Sequence, residues 1–114
     1  MARGSRIRAV TPHVLMAELA EPFAYSQAWY RRRGAMLVEV TTEDGIVGWG
    51  EAFGPPELTA PIVAWLAPLV VGQDALAREA IWQALYNRLR DHGQRGVVVE
   101  AICAFDLAVW DIAG

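Results

Sequence analysis

The stretch from Val97 to Ala113 is apolar on nearly every side when wound at 3.6 residues per turn. Val98, Ile102, Phe105, Val109 and Ile112 form a seam, and Ala101, Leu107 and Ala108 widen it. Such a helix is stable only when other elements cover it, so the rest of the chain must supply a surface. Burial on more than one side is expected, and Gly114 closes the helix.

The first half of the chain supplies strands. Ile7 to Met16 is rich in β-branched residues, and Pro12 marks an edge or a bend. Ala35 to Thr42 alternates, with Met36, Val38 and Val40 on one face and Leu37, Glu39 and Thr41 on the other. Glu43-Asp44-Gly45 reads as a turn, and Ile46 to Phe53 as a third strand. Between the first two strands, Glu21 to Arg33 has no clear period and reads as a long irregular loop carrying Phe23, Tyr25, Trp29 and Tyr30. Met1 to Ser5 reads as a frayed start.

The period then changes. Leu58, Ile62, Trp65, Leu66 and Leu69 share one helix face; Pro61 suits only a first turn, and Pro68 should end or kink the helix. Asp74 is a candidate N-cap for a second helix, whose stripe is Ala77, Ile81, Ala84, Leu85 and Arg88 with Trp82 and Leu89 beside it. Residues 91–96 form a polar loop before the last helix. Strands first and helices after give an α+β fold: a three-stranded antiparallel β-meander followed by three or more α-helices, in one domain over residues 1–114.

Composition narrows the function. At 54% hydrophobic and 20% charged, the chain is more apolar than an average globular domain, which argues against disorder and for a face turned to another domain or subunit. The net charge of -3 gives no nucleic-acid footprint, and Arg31-Arg32-Arg33 is the single basic cluster. No secretory signal is visible. Pro61 to Val71 is too short to span a bilayer, and Glu100, Asp106 and Asp111 interrupt the last helix. A soluble cytoplasmic protein is the expectation. Cys103 stands alone, on an apolar helix, and reads as a small buried hydrophobe.

Several segments in order carry a resemblance. They are Leu37-Val38-Glu39-Val40, the turn at Asp44-Gly45, then Gly48-Trp49-Gly50-Glu51 and Gly54-Pro55-Pro56. After them come Leu69-Val70-Val71-Gly72-Gln73-Asp74 and Asp106-Leu107-Ala108-Val109-Trp110-Asp111-Ile112-Ala113-Gly114. From Ile7 onward the chain resembles the N-terminal capping domain of the enolase superfamily, in the mandelate racemase and muconate lactonizing branch. The resemblance implies a C-terminal (β/α)-barrel partner of roughly 200 or more residues, absent here. In the family that barrel holds Mg²⁺ and a base that removes a proton α to a carboxylate. The resemblance therefore implies a small-molecule carboxylate substrate, a homo-oligomeric full protein, and no catalytic or metal-binding residue in this chain. An acid-sugar dehydratase is the first expectation for the parent, with racemase, epimerase or cycloisomerase as alternatives. The 114-residue chain alone should be inactive.

What the cap contributes in the family is a lid. Carried onto this sequence, the lid is Glu21 to Arg33 together with Ala52 to Pro56. Tyr25, Trp29 and Tyr30 would wall the pocket, with Phe23 and Phe53 beside them; Ser26, Gln27 and Arg31 would hydrogen-bond the substrate. Other residues take plainer roles: Trp49 as core, Glu51 as an arginine's partner, His92 as a surface loop residue, and Asp106 as the partner of a backbone group or arginine. His13, on a strand, offers still less as a site residue. Asp106 and Asp111 are five apart and do not form a dyad. The rival is a freestanding α+β binding or dimerisation module, using the aromatic loop for a ligand and the last helix for self-association. Burial of Val98, Ile102, Phe105 and Val109 within the chain would favour that rival.

Overall fold

The computed structural model describes residues 5–114. Of the frayed start expected over Met1 to Ser5, residues 1–4 lie outside the described residues, and Ser5 is not frayed, since its hydroxyl donates to Asp74 at 2.7 Å and its carbonyl accepts the Ala75 amide at 2.9 Å. Strands β1 (Ile7–Tyr25), β2 (Ala28–Thr42) and β3 (Val47–Ala52) form an antiparallel meander in the order β1-β2-β3. Helices α1 (Pro56–Val70), α2 (Arg78–Leu89) and α3 (Val97–Ala113) follow, with a single 3₁₀ turn at Arg90–His92 after α2. The α+β meander-and-helices architecture is as the periodicity predicts.

Met36, Val38 and Val40 on β2 are fully buried and face α3, whose Ala101, Ile102, Ala104, Phe105, Ala108 and Val109 are buried in turn. The helix lies almost in contact with the β3 backbone. A Cβ added at Gly50 would stand 1.9 Å from the Ala104 carbonyl oxygen, and one at Gly48 would stand 2.2 Å from that of Ala108. The two glycines of Gly48-Trp49-Gly50 are therefore a seat for α3, and Ala104 and Ala108 are its small counterparts. The Asp111 carboxylate fixes the far end by accepting the Trp49 amide at 2.8 Å.

The outer side of α3 is different. Leu107 and Trp110 are half exposed, and Cys103 is exposed. Within this chain α3 is covered from more than one side, by β2 and β3 and by α1 and α2, but the arc carrying Cys103 is left open, and Cys103 is not a core residue. Trp49 is also out of the core: strand alternation points it away from α3, where it packs on His13 with ring centroids 5.6 Å apart.

Helix α1 buries Pro56, Thr59, Val63, Leu66 and Val70. The predicted face was wrong in part, since Leu58 and Trp65 are exposed. Thr59 can be buried because its hydroxyl donates to the Pro55 carbonyl at 3.2 Å. Trp65 stays outside, with the Arg88 guanidinium 5.4 Å above its ring. Pro61 and Pro68 both lie inside the helix. Each is exposed, as are Glu57 and Ala64 four residues before them, so the carbonyls left without an amide donor face water.

After α1, Gly72 turns at φ +92, and the segment returns to pair with the start of β1: Ile7 N–H donates to Gln73 O and Gly72 N–H to Ile7 O, both at 2.8 Å. Asp74 does not cap α2, whose N-cap is Ala77. Its carboxylate instead accepts the Ser5 hydroxyl at 2.7 Å and the Leu76 amide at 3.0 Å. The Ser5 bond first, then the Leu76 bond, holds the Asp74 carboxyl below its ordinary range. In α2, Ile81, Leu85 and Leu89 face inward, while Ala77, Ala84 and Arg88 from the expected stripe are exposed. No helix among the described residues is long and apolar enough to cross a membrane.

Candidate functional site

The segment 21–33 is not an irregular loop. Strands β1 and β2 continue past the body of the sheet as a projecting hairpin, and the molecule extends 49 Å along its longest axis. Tyr25 pairs with Ala28, leaving Ser26 and Gln27 as the turn. No non-glycine residue among those described has positive φ, so this turn is not of the primed kind that Asn-Gly signals. A register shift between Glu18 and Phe23 takes up the extra residues of β1, including Pro22, which has no amide to give to a ladder.

Aromatic packing stiffens the hairpin. Phe23 stacks on Tyr30 at 5.2 Å, Tyr25 meets Tyr30 at 5.6 Å, and the Arg33 guanidinium lies 5.6 Å above Phe23. Arg32 reaches Glu18 at 3.9 Å. Beneath the hairpin, β3 ends at buried Ala52, and Phe53 swings outward with 85% of its surface exposed. Gly54 follows at φ +95, where a Cβ would meet the Glu100 carboxylate at 2.1 Å. Glu100 Oε2 is buried there with no hydrogen-bond donor among the described residues.

Hairpin and loop enclose an open groove of about 970 Å³. Of the expected residues, Phe23, Trp29, Tyr30, Arg31 and Phe53 line it; Tyr25, Ser26 and Gln27 sit at the hairpin tip, outside the lining. Leu15, Met16 and Glu57 also line it, and sequence reasoning missed them because they lie in strand and helix segments that read as framework; Arg33, at the end of the expected lid segment, lines it too. Arg31 makes no ion pair among the described residues, so its guanidinium is free for an anionic group. Glu51 lines the same groove and, contrary to expectation, pairs with no arginine there.

The groove can hold and orient a polar, ring-sized carboxylate between aromatic walls and a cation. Among the described residues no three His, Cys, Asp or Glu side chains converge as metal ligands, so the donor set for Mg²⁺ is not met by these residues. Asp111 is committed to Trp49, while Asp106 lines a second recess of about 760 Å³ between α2 and α3. There Arg78 lies 4.0 Å above the Trp110 ring, and Asp106 has no partner among the described residues. His92 is exposed in the 3₁₀ turn; His13 Nε2 lies 3.2 Å from Glu39 Oε1 on the outer face of the sheet.

Residues 7–114 match the sequence profile of the mandelate racemase / muconate lactonizing enzyme N-terminal domain. D-galactarolactone cycloisomerase from Agrobacterium fabrum is 43% identical over 109 residues, covering 96% of this chain and 29% of the relative. L-rhamnonate dehydratase from Saccharopolyspora erythraea is 36% identical over 81 residues, covering 71% of this chain and 21% of the relative. The crystal structure of 3,6-anhydro-D-galactonate cycloisomerase from Zobellia galactanivorans superposes with a TM-score of 0.84 at 32% identity, over 95% of this chain and 28% of that one. The chain spans less than a third of the length of each of these proteins.

Proposed function

The chain belongs to the mandelate racemase / muconate lactonizing enzyme N-terminal domain family, and from that premise we propose that it is the substrate-capping and specificity domain of a Mg²⁺-dependent enzyme acting on acid sugars by abstraction of an α-proton. The observation that carries the proposal is the groove between hairpin and Phe53 loop, aromatic on its walls and with an unpaired Arg31. Phe23, Trp29, Tyr30, Arg31 and Phe53 would bind and orient the substrate there and exclude water, with Tyr25 and Ser26 at the hairpin tip closing over it. A C-terminal barrel would supply the Mg²⁺ ligands and the base. The metal's chemistry is to stabilise the negative charge left on the carboxylate when the α-proton departs. The whole protein would be a cytoplasmic homo-oligomer. The names of the relatives, sugar-acid dehydratases and cycloisomerases, support lyase or isomerase chemistry on a hydroxylated acid or its lactone.

One observation favours the module reading. Ile102, Phe105 and Val109 are buried inside this chain, and Val98 is half-buried, so the α3 seam needs no outside cover. The same burial removes that seam as a self-association surface.

The experiment assays Mg²⁺-dependent turnover of a panel of aldonates, aldarates and their lactones. It compares the longer polypeptide that carries this domain with the 114-residue chain. Turnover by the longer polypeptide alone is expected; turnover by the 114-residue chain would overturn the capping role.

A further inference from the structure

Phe53 is the groove wall with the least support. Its ring is 85% exposed, so packing within this chain does not fix where it stands. The backbone on either side of it is pinned. Ala52 is buried and pairs with Met36 in the sheet, and the Pro55 carbonyl accepts the Leu58 and Thr59 amides at 3.0 and 3.1 Å. Between those anchors the Phe53 and Gly54 amides donate to no backbone carbonyl among the described residues. Pro55 and Pro56 have no amide to give. Phe53 and Gly54 are thus a two-residue span that can shift while its ends stay put.

Glu100 lies directly under that span. It stands in the first turn of α3, where the positive end of the helix favours its charge. It is not spent on the helix itself, since α3 has no side-chain cap hydrogen bond, and it forms no ion pair among the described residues. Its Oε2 is shut off from solvent with no donor among the described residues, a costly state for a carboxylate oxygen. The same oxygen occupies the place where any other residue at position 54 would carry its Cβ. A Cβ lies about 2.5 Å from its own nitrogen, so Glu100 Oε2 is less than about 5 Å from the Gly54 nitrogen. An inward shift of about 2 Å would close an N–H···O bond between them. Gly54 can make that move because glycine leaves φ +95 for other backbone conformations without a side-chain penalty.

We propose that Glu100 is a positioning residue for the groove: its carboxylate accepts the Gly54 amide when the Phe53–Gly54 span moves inward, and so holds the Phe53 ring against the bound substrate. Glu100 does not line the groove and acts only through Phe53. The two orphaned groups satisfy each other in the closed position, and a substrate that packs on the Phe53 ring shifts the population toward it. The proposal rests on the substrate-capping reading above and adds to it the group that sets one wall.

Two experiments test it, and the first needs no turnover. NMR relaxation dispersion on the 114-residue chain is expected to show microsecond-to-millisecond exchange at the Phe53 and Gly54 amides. Glu100→Ala should abolish that exchange, and Glu100→Gln, which keeps a carbonyl acceptor in place, should retain it in part. Flat profiles in the parent overturn the proposal, as does exchange that persists in Glu100→Ala. The second experiment is a double-mutant cycle in the longer polypeptide that carries this domain, with the panel of aldonates, aldarates and lactones. Glu100→Ala and Phe53→Ala should each lower kcat/KM by about tenfold, and the double variant should lose no more than either single one. Losses that multiply, or full activity in Glu100→Ala, overturn the proposal. Far-UV circular dichroism checks that each variant is folded. A longer polypeptide that turns over nothing defeats the capping reading, while the NMR result still decides the role of Glu100.

Discussion

Replacing Gly50 by alanine puts the seat of α3 under direct strain. The new methyl would stand 1.9 Å from the Ala104 carbonyl oxygen, where ordinary contact begins at 3.4 Å, so helix and strand must part by about 1.5 Å. Neither partner is a flexible side-chain tip; both are backbone. Parting them also strips contact from Ile102, Phe105 and Val109, because a gap of even ~1 Å forfeits up to about half of a dispersion well. Overpacking of a core costs about 1–3 kcal/mol, and a backbone clash belongs at the top of that range, so the expected loss is about 3 kcal/mol. That is a large share of the ~5–15 kcal/mol that holds a domain folded. Urea unfolding followed by circular dichroism measures it, with a fall in midpoint of about 1–2 M. Gly50 does not have positive φ, so strain of that kind does not contribute. Gly45→Ala is the control: φ there is +89 with nothing within 4 Å, so it reads the left-handed backbone penalty alone, about 1 kcal/mol. If Gly50→Ala loses less stability than Gly45→Ala, the close helix-to-strand seating is refuted.

Asp111→Ala should cost about 1 kcal/mol by removing the acceptor of the Trp49 amide, a modest figure because the bond is solvent-exposed, and Asp111→Asn should recover most of it in the same urea assay. Asp74 has its carboxyl pKa depressed in the folded state, so its contribution is complete above the ordinary value of 3.8 and is lost as pH falls below it. Urea midpoints measured from pH 6 down to pH 2 should therefore fall less steeply at the acid end in Asp74→Asn than in the parent chain. Gly54→Ala should destabilise through both positive φ and the Glu100 carboxylate, and adding Glu100→Ala should return part of the loss as the clash goes and the φ penalty stays.

The sequence made the inner sheet legible because Met36, Val38 and Val40 alternate against a buried face, and it made α3 legible because Phe105 and its neighbours repeat at helical spacing. The hairpin escaped because its turn, Ser26-Gln27, uses no positive φ and so carries no Asn-Gly or Asp-Gly signature, and because Pro22 reads as a breaker although it sits in a register shift. The α1 face was partly misread because a satisfied threonine is inside and a tryptophan is outside under Arg88. Hydrophobicity alone ranks those two the other way. Trp49 shows a related limit. Its residue type suggests the core, but Gly48 and Gly50 occupy the inward positions so that α3 can approach, which forces Trp49 outward. The groove was half legible. Its aromatics and Arg31 were visible as a cluster, whereas Leu15 and Met16 join them only because the strands continue into the hairpin.

The most direct measurement of the capping role is kcat/KM for a panel of acid sugars and lactones, on the longer polypeptide that carries this domain, with and without Trp29→Ala and Phe53→Ala. Both residues are exposed on the groove and outside the folded core, so stability should hold while selectivity moves. The predicted result is a change in the ratio of kcat/KM values between substrates, about tenfold for loss of an aromatic wall, with Mg²⁺ dependence unchanged. Identical selectivity in the parent and both variants would contradict a substrate-capping role for this groove.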